Sequence, residues 1–174
     1  MSRDVLEYEA VIVGAGPAGL ACAIRLKQLK PDINLCVLEK GASIGAHTLS
    51  GAVIEPGPLD ALLPEWRNSP PGICIPAKRD EFRLLTRTGS ISLPTRPHLN
   101  NHGNFIVSLG LLTAWLGQQA ENLGVDVFPG FAAAAPLFDE HGAVAGVQIG
   151  DMGLTRSGER VQSFLALLWG GRLV

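Results

Sequence analysis

The sequence predicts an α/β fold of three layers on a mostly parallel sheet. Three observations carry that expectation. Val11, Ile12 and Val13 are contiguous and β-branched, the composition of a strand buried on both faces of a parallel sheet. A glycine-rich turn and an amphipathic stretch follow at once, from Gly14 to Leu29. A second apolar run, Leu35 to Leu38, comes after Pro31-Asp32 and closes on an acid, Glu39. Strand, helix and strand in that order make the first crossover of a doubly wound sheet.

The turn reads Gly14-Ala15-Gly16-Pro17-Ala18-Gly19. Gly14 lets the chain turn tightly out of its strand. Gly16 leaves room for a pyrophosphate to approach the backbone, and Gly19 lets the helix pack close to the strand. Pro17 suits a first helical turn, where a missing N–H costs little. The helix is expected from about Pro17 to Leu29, with Leu20, Ala21, Ile24 and Leu26 apolar and Arg25, Lys27, Gln28 and Lys30 polar. Its N-terminus directs amides and a partial positive charge at phosphates. Glu39 stands twenty residues after Gly19. A carboxylate there accepts hydrogen bonds from ribose hydroxyls and repels the 2′-phosphate of NADP. A glycine triplet alone is a weak signal; the flanking strands, the helix and the acid make it a dinucleotide site. Taken singly, Glu39 reads equally as a solvated strand end.

Composition bounds the rest. The chain has 174 residues, 47% hydrophobic and 17% charged, enough for one globular domain with a core. A formal net charge of −2 gives no electrostatic case for nucleic acid. The three cysteines, Cys22, Cys36 and Cys74, have no metal-ligand spacing, and their odd number argues against a disulfide framework. Met1 to Glu7 is too short and acidic for a signal peptide. No apolar run approaches the ~20 residues of a membrane-spanning helix.

After Lys40 the pattern departs from a compact nicotinamide-binding domain. Gly41 to Ala52 is a loop of small residues, suited to close approach by a large flat ring system, and so favours FAD over NAD; read blandly, it is a mobile loop. Between Ile54 and Trp66, the apolar positions Leu59, Leu62, Leu63 and Trp66 fall on one face of a short helix. That face either covers the core or lies in a membrane interface. Asn68 to Lys78 reads as an exposed Pro-rich connector, and Glu81 to Pro94 as a hairpin around Thr88-Gly89. His98 and His102 are four apart, but their Gly- and Asn-rich loop resists a helix and holds no carboxylate, so a metal site is disfavoured. A strand at Phe105 to Val107, a helix from Leu109 to Leu123 and a parallel strand from Val125 to Phe128 follow. Ala135 to Phe138 and Ala143 to Ile149 flank a hairpin turn.

Several stretches together resemble one family. They are Val11 to Leu20, Glu39-Lys40-Gly41, Ile44 to Ala52 (with His47-Thr-Leu-Ser-Gly), Leu63 to Trp66, Asn100 to Asn104, Trp115 to Glu121 and Val127 to Ala134. They are similar to electron transfer flavoprotein–ubiquinone oxidoreductase, from about Ala10 to about Phe164. The glycine motif is shared by many flavoproteins; the histidine-threonine and double-asparagine stretches are more specific. The resemblance implies a Rossmann-like FAD-binding domain with an inserted β-hairpin region, truncated at its C-terminal side. It implies FAD at Gly14, Ala15, Gly16, Pro17, Ala18 and Gly19, with Glu39 and Lys40 at the ribose end and Leu49, Ser50 and Gly51 toward the flavin. It implies electron transfer flavoprotein and ubiquinone as partners, and a [4Fe–4S] cluster whose ligands this sequence lacks. The expected location is the cytoplasmic face of a bacterial inner membrane, or the mitochondrial inner membrane in a eukaryote, with Leu59, Leu62 and Leu63 as membrane-contact candidates. Residues 1–164 are expected to be the N-terminal part of the flavoprotein domain, and 165–174 a divergent tail resembling a frame-shifted end.

The expected activity is therefore that of an FAD-dependent oxidoreductase fragment, inactive alone. The cofactor carries the chemistry and the protein positions it, so no catalytic side chain is named. The alternatives are a geranylgeranyl-reductase-like or hydroxylase-like flavoenzyme fragment and a non-catalytic remnant.

Overall fold

The computed structural model describes residues 5–49, 51–68, 73–94, 99–150 and 166–169. The chain divides into two compact units, Met1–Thr48 with Gly110–Val174, and Leu49–Leu109.

In the first unit, β1 (Val5–Tyr8) precedes β2 (Ala10–Val13), helix α1 (Pro17–Leu29) and β3 (Leu35–Glu39). The helix has the bounds its sequence predicts. β2 and β3 are parallel, with Val11 opposite Cys36 and Val13 opposite Leu38. The expected connector, hairpin and further strands of the second unit intervene before the sheet resumes. Helix α3 (Leu109–Asn122) then leads to β9 (Asp126–Pro129), parallel to β3 with Glu39 opposite Pro129. The parallel sheet thus has the order β2-β3-β9. β9 starts one residue later than the sequence suggests, because the Val125 N–H still donates to the helical carbonyl of Ala120 at 3.1 Å. The sequence also sets Leu109, Leu112, Leu116 and Leu123 on one side of α3, but Leu123 is exposed; the buried face is Leu112, Thr113, Leu116, Gly117 and Ala120. The chain leaves α3 through Gly124 (φ 81°) at that point, so Leu123 is not carried under the helix.

A second sheet has the order β1-β12-β11-β10, with β10 (Ala133–Phe138), β11 (Val144–Ile149) and β12 (Ala166–Trp169). β10 and β11 form the expected hairpin, whose turn is closed by Asp139 Oδ1 accepting from the N–H groups of His141 (2.9 Å) and Ala143 (2.8 Å). β12 lies in the segment that the sequence sets apart as a tail, and it pairs parallel with β1. The rest of 165–174 lies outside the described residues.

Pleating divides the strand side chains between the layers. Val11, Cys36 and Leu38 form one core with Tyr8, Val147 and Ile149, and Phe128 and Phe131 pack against it. On the other face α1 buries Leu20, Ala23 and Ile24. Tyr8 donates its hydroxyl to Asp126 Oδ2 at 2.9 Å, joining the two sheets across 118 residues of sequence.

This core has a consequence for alkaline stability. Burial, and secondarily the charge of Asp126, push the Cys36 thiol up to about 12. Burial and the Asp126 hydrogen bond push the Tyr8 hydroxyl upward too. The unfolded chain loses these protons near pH ~8.5 and ~10, where the folded chain still holds them. Stability from these groups is therefore complete below about pH 8 and is lost as pH rises toward 12. Urea midpoints measured from pH 7 to 11 are expected to fall, and the fall is expected to flatten in Cys36→Ala.

The second unit contains β4 (Ala52–Ile54), α2 (Pro56–Leu62), a 3₁₀ turn (Pro64–Asn68), β5 (Cys74–Pro76), the hairpin β6 (Phe82–Leu85) and β7 (Ser90–Leu93), and β8 (Phe105–Val107). β8 is the central strand of a three-stranded antiparallel sheet, order β4-β8-β5. Two expectations are corrected here. The helix expected through Trp66 is broken at Leu63, since the following Pro64 disfavours helical backbone there (φ −139°, ψ 82°). The stretch read as connector contains β5, flanked by buried Ile73 and Ala77.

The apolar face expected at 59–66 serves this unit's core. Trp66 is 1% exposed, stacks edge-on against Phe105 at 4.9 Å and donates Nε1–H to Asp60 Oδ1 at 2.6 Å. Of the three membrane-contact candidates, Leu59 is buried, and Leu62 and Leu63 are half-buried. The asparagine-rich loop is tied down by Asp80. Its Oδ2 accepts from the Asn101 N–H (2.7 Å) and its Oδ1 from the Asn101 side chain (3.0 Å), which holds its carboxyl below the usual range. The fold thus brings a carboxylate to the loop, but both its oxygens serve Asn101. His98 lies outside the described residues.

Candidate dinucleotide site

The glycine turn leaves β2 with Gly14 at φ 105°, a region open to glycine and strained for other residues. The Gly14 N–H donates to the Leu38 carbonyl at 2.8 Å, which fixes the turn to β3. Gly19 is pressed against the strand behind it. A Cβ there would land on the Gly14 carbonyl oxygen and within 3.2 Å of Ile12 Cγ2.

Gly16 is different. It is the N-cap of α1, with extended backbone, and no side chain caps the helix. A Cβ at Gly16 would meet no heavy atom within 4 Å. Pro17 occupies the first turn, which contains no acidic residue. The first-turn amides have no intrahelical acceptors, so this end of α1 is suited to an anion.

Glu39, at the end of β3, joins the turn to the loop beyond it. Its Oε2 accepts from the Ala15 N–H at 3.0 Å and its Oε1 from the Gly41 N–H at 2.7 Å. Gly41 is in turn held by the Gly130 N–H, which donates to its carbonyl at 2.7 Å. A cavity of about 190 Å³ opens at the carboxyl ends of β2 and β3, lined by Val13, Gly14, Leu38, Glu39, Lys40 and residues 131–133. That is where open α/β sheets bind ligands.

The fold therefore gathers Gly14 to Gly19, Glu39 and Lys40 at one sheet edge. Leu49 and Gly51 belong to the other compact unit, where Leu49 is 88% exposed. Ser50 lies outside the described residues. Sequence reasoning missed Phe131, Ala132 and Ala133 as cavity walls. The available signal was Pro129-Gly130, which ends the third parallel strand at the same edge.

A family model described as an NAD(P)-binding Rossmann-like domain matches residues 12–64. The electron transfer flavoprotein–ubiquinone oxidoreductase of Dictyostelium discoideum is 45% identical over 93% of this chain, and that of Homo sapiens 48% identical over 94%. Both of those proteins are named as mitochondrial. Among solved structures, a geranylgeranyl bacteriochlorophyll reductase-like protein of Thermoplasma acidophilum superposes with a TM-score of 0.62. The match covers 95% of this chain and 38% of that one, at 20% identity, a likeness of fold. This chain spans 27% and 28% of the length of the two named relatives. Over the residues it spans, the chain is similar in sequence to these electron transfer flavoprotein–ubiquinone oxidoreductases.

Proposed function

We propose that this chain is the FAD-binding portion of an oxidoreductase that passes electrons from reduced electron transfer flavoprotein to ubiquinone at a membrane surface. The observation that carries the cofactor assignment is the open backbone at Gly16 beside an uncapped helix end, with Glu39 at the same cavity. These residues fit a dinucleotide: an unobstructed backbone and amides for the pyrophosphate, and a carboxylate for a ribose diol. FAD is favoured over NADP by that carboxylate and over NAD by the small-residue loop after it. The partners and the direction of electron flow rest on the sequence likeness to the relatives.

When bound, FAD would supply the electron-transfer chemistry; the protein's part is to bind and orient it. The amides of Ala18 and Gly19 would hold the pyrophosphate, with Gly14, Ala15, Gly16 and Pro17 shaping the approach. Glu39 would hold the adenosine ribose, and Phe131 would offer an aromatic wall to the purine. Lys40 would border the same end, and Leu49, Ser50 and Gly51 would serve the flavin end. The [4Fe–4S] cluster of the resemblance does not fit the residues here. Cys22, Cys36 and Cys74 lie on α1, β3 and β5, and among the described residues no group of three potential ligands could hold a metal. No step is assigned to a cluster.

Location at the surface of a mitochondrial or bacterial inner membrane belongs to the same proposal. No helix among the described residues is long and apolar enough to cross a membrane.

The visible spectrum of the purified chain tests the cofactor assignment: flavin bands near one per chain are expected, and a colourless folded protein would refute it. In Glu39→Gln the carboxylate charge is lost and a donor replaces one acceptor. Hydrogen bonds to a charged group contribute about 1.5–3 kcal/mol, so FAD affinity is expected to fall roughly 10–100-fold in fluorescence titration.

A further inference from the structure

The loop after Glu39 is seated on helix α3. A Cβ at Gly117 would lie 2.5 Å from Ile44 Cδ1 and 3.3 Å from its Cγ2, so Ile44 rests directly on that glycine. A Cβ at Gly45 would lie 2.5 Å from the Gly110 carbonyl oxygen. Gly110 and Gly117 are seven residues apart, about two helical turns, and so share one helix face. The loop also holds its own shape, with the Ala46 N–H donating to Ser43 (3.2 Å) and the Thr48 N–H to Gly45 (3.1 Å). Its other end is Gly41, fixed by Gly130 on one side and donating to Glu39 Oε1 on the other. Glu39 Oε2 accepts from Ala15 in the glycine turn. An unbroken series of contacts thus runs from α3 to the turn, and neither Ile44 nor Gly117 lines the cavity.

We propose that Ile44 and Gly117 are positioning residues: their contact holds the loop so that Gly41 keeps the Glu39 carboxylate bridged to the Ala15 amide. Without it, the Gly41 N–H drifts, one carboxylate oxygen loses its donor, and the carboxylate swings away from the turn. A half-buried apolar contact then governs the orientation of a ribose-binding acid that it does not touch. The orientation of Glu39 rests on its two hydrogen bonds within the chain, from Ala15 and Gly41. Only the affinity consequence rests on the proposed FAD role.

The test uses the 174-residue chain. Gly117→Ala places a methyl against Ile44 Cδ1, the movable end of that side chain, so Ile44 and its loop shift. Ile44→Val removes Cδ1 and makes room again. Amide hydrogen exchange is read at Ala15 and Gly41 without flavin, with Ala120 on α3 as the reference, and FAD affinity is read separately. In Gly117→Ala, exchange at Ala15 and Gly41 is expected to rise about tenfold while Ala120 is unchanged. FAD affinity is expected to fall about tenfold. Ile44→Val/Gly117→Ala is expected to restore both. Ile44→Ala removes the contact without touching the helix and is expected to reproduce the exchange change, which keeps the test open should Gly117→Ala fold poorly. Unchanged exchange at Ala15 and Gly41, or no rescue in the double variant, overturns the proposal. The expected exchange pattern in a chain that binds no FAD sustains the positioning role and removes the FAD reading.

Discussion

Gly19→Val is expected to unfold the first compact unit rather than simply weaken a ligand. The new side chain has nowhere to go. Its Cβ would fall on the Gly14 carbonyl oxygen, a backbone atom, with Ile12 Cγ2 at 3.2 Å and the Gly14 carbonyl carbon at 3.3 Å. That carbonyl cannot rotate away cheaply, because it shares a peptide plane with the Ala15 N–H, which donates to Glu39 Oε2 at 3.0 Å. Helix α1 must therefore lift from the sheet, and with it Leu20, Ala23 and Ile24, all at 0% exposure. Overpacking of this kind costs about 3 kcal/mol or more, a large share of the ~5–15 kcal/mol of a typical domain. Urea and thermal midpoints are expected to drop sharply, equally with and without flavin. A valine variant with the parent midpoint would show that α1 does not pack as described.

Gly16→Val is expected to fail in the opposite way. No heavy atom lies within 4 Å of the new Cβ, and the backbone there (φ −75°, ψ 174°) is open to valine. The fold should lose only about 1 kcal/mol, the difference between a fair and a poor N-cap residue. Yet the side chain occupies the space in front of the helix end, where the proposed pyrophosphate would come within hydrogen-bonding distance. Binding of FAD is expected to become undetectable, at least about a hundredfold weaker, while circular dichroism and the unfolding midpoint stay near those of the parent. Unchanged flavin content would displace the phosphate from this turn. Two glycines three residues apart thus separate the motif into a packing position and a ligand position.

What the sequence made legible follows from how local each signal is. α1 was bounded correctly because a proline opens it and Pro31 closes it, both through backbone rules that need no tertiary partner. The hairpin β6–β7 was likewise announced by its own turn, with Thr86 and Gly89 paired at 2.8 Å. β1 was passed over because Glu7 interrupts its apolar pattern and its partner, β12, is remote in sequence. β5 was hidden by the prolines around it, and it exists because β8 supplies a partner. The nearness of the glycine turn to Glu39 was readable from spacing. The amides that Glu39 holds were not, because a carboxylate that accepts from Ala15 and Gly41 looks in sequence like any acid at a strand end. Phe131 was signalled only indirectly, by Pro129-Gly130 closing the third parallel strand at the edge formed by residues 13 and 39.

The pairing of β4 with β8 also bears on the order in which the chain can assemble. β9 must find β3 across the whole of the second unit, a separation that would make the parallel sheet slow to close. An open loop of roughly sixty residues costs about 2 kcal/mol more in chain entropy than one of four or five. The register places Ala52 opposite Val107, so the two ends of the second unit are fastened to each other by its own strands. Once that short antiparallel ladder has formed, the insertion behaves as a tether of a few residues, and β9 searches a small volume. The second unit is then expected to condense first and the parallel sheet to follow, with mutations in β4 or β8 slowing the folding of strands they never touch.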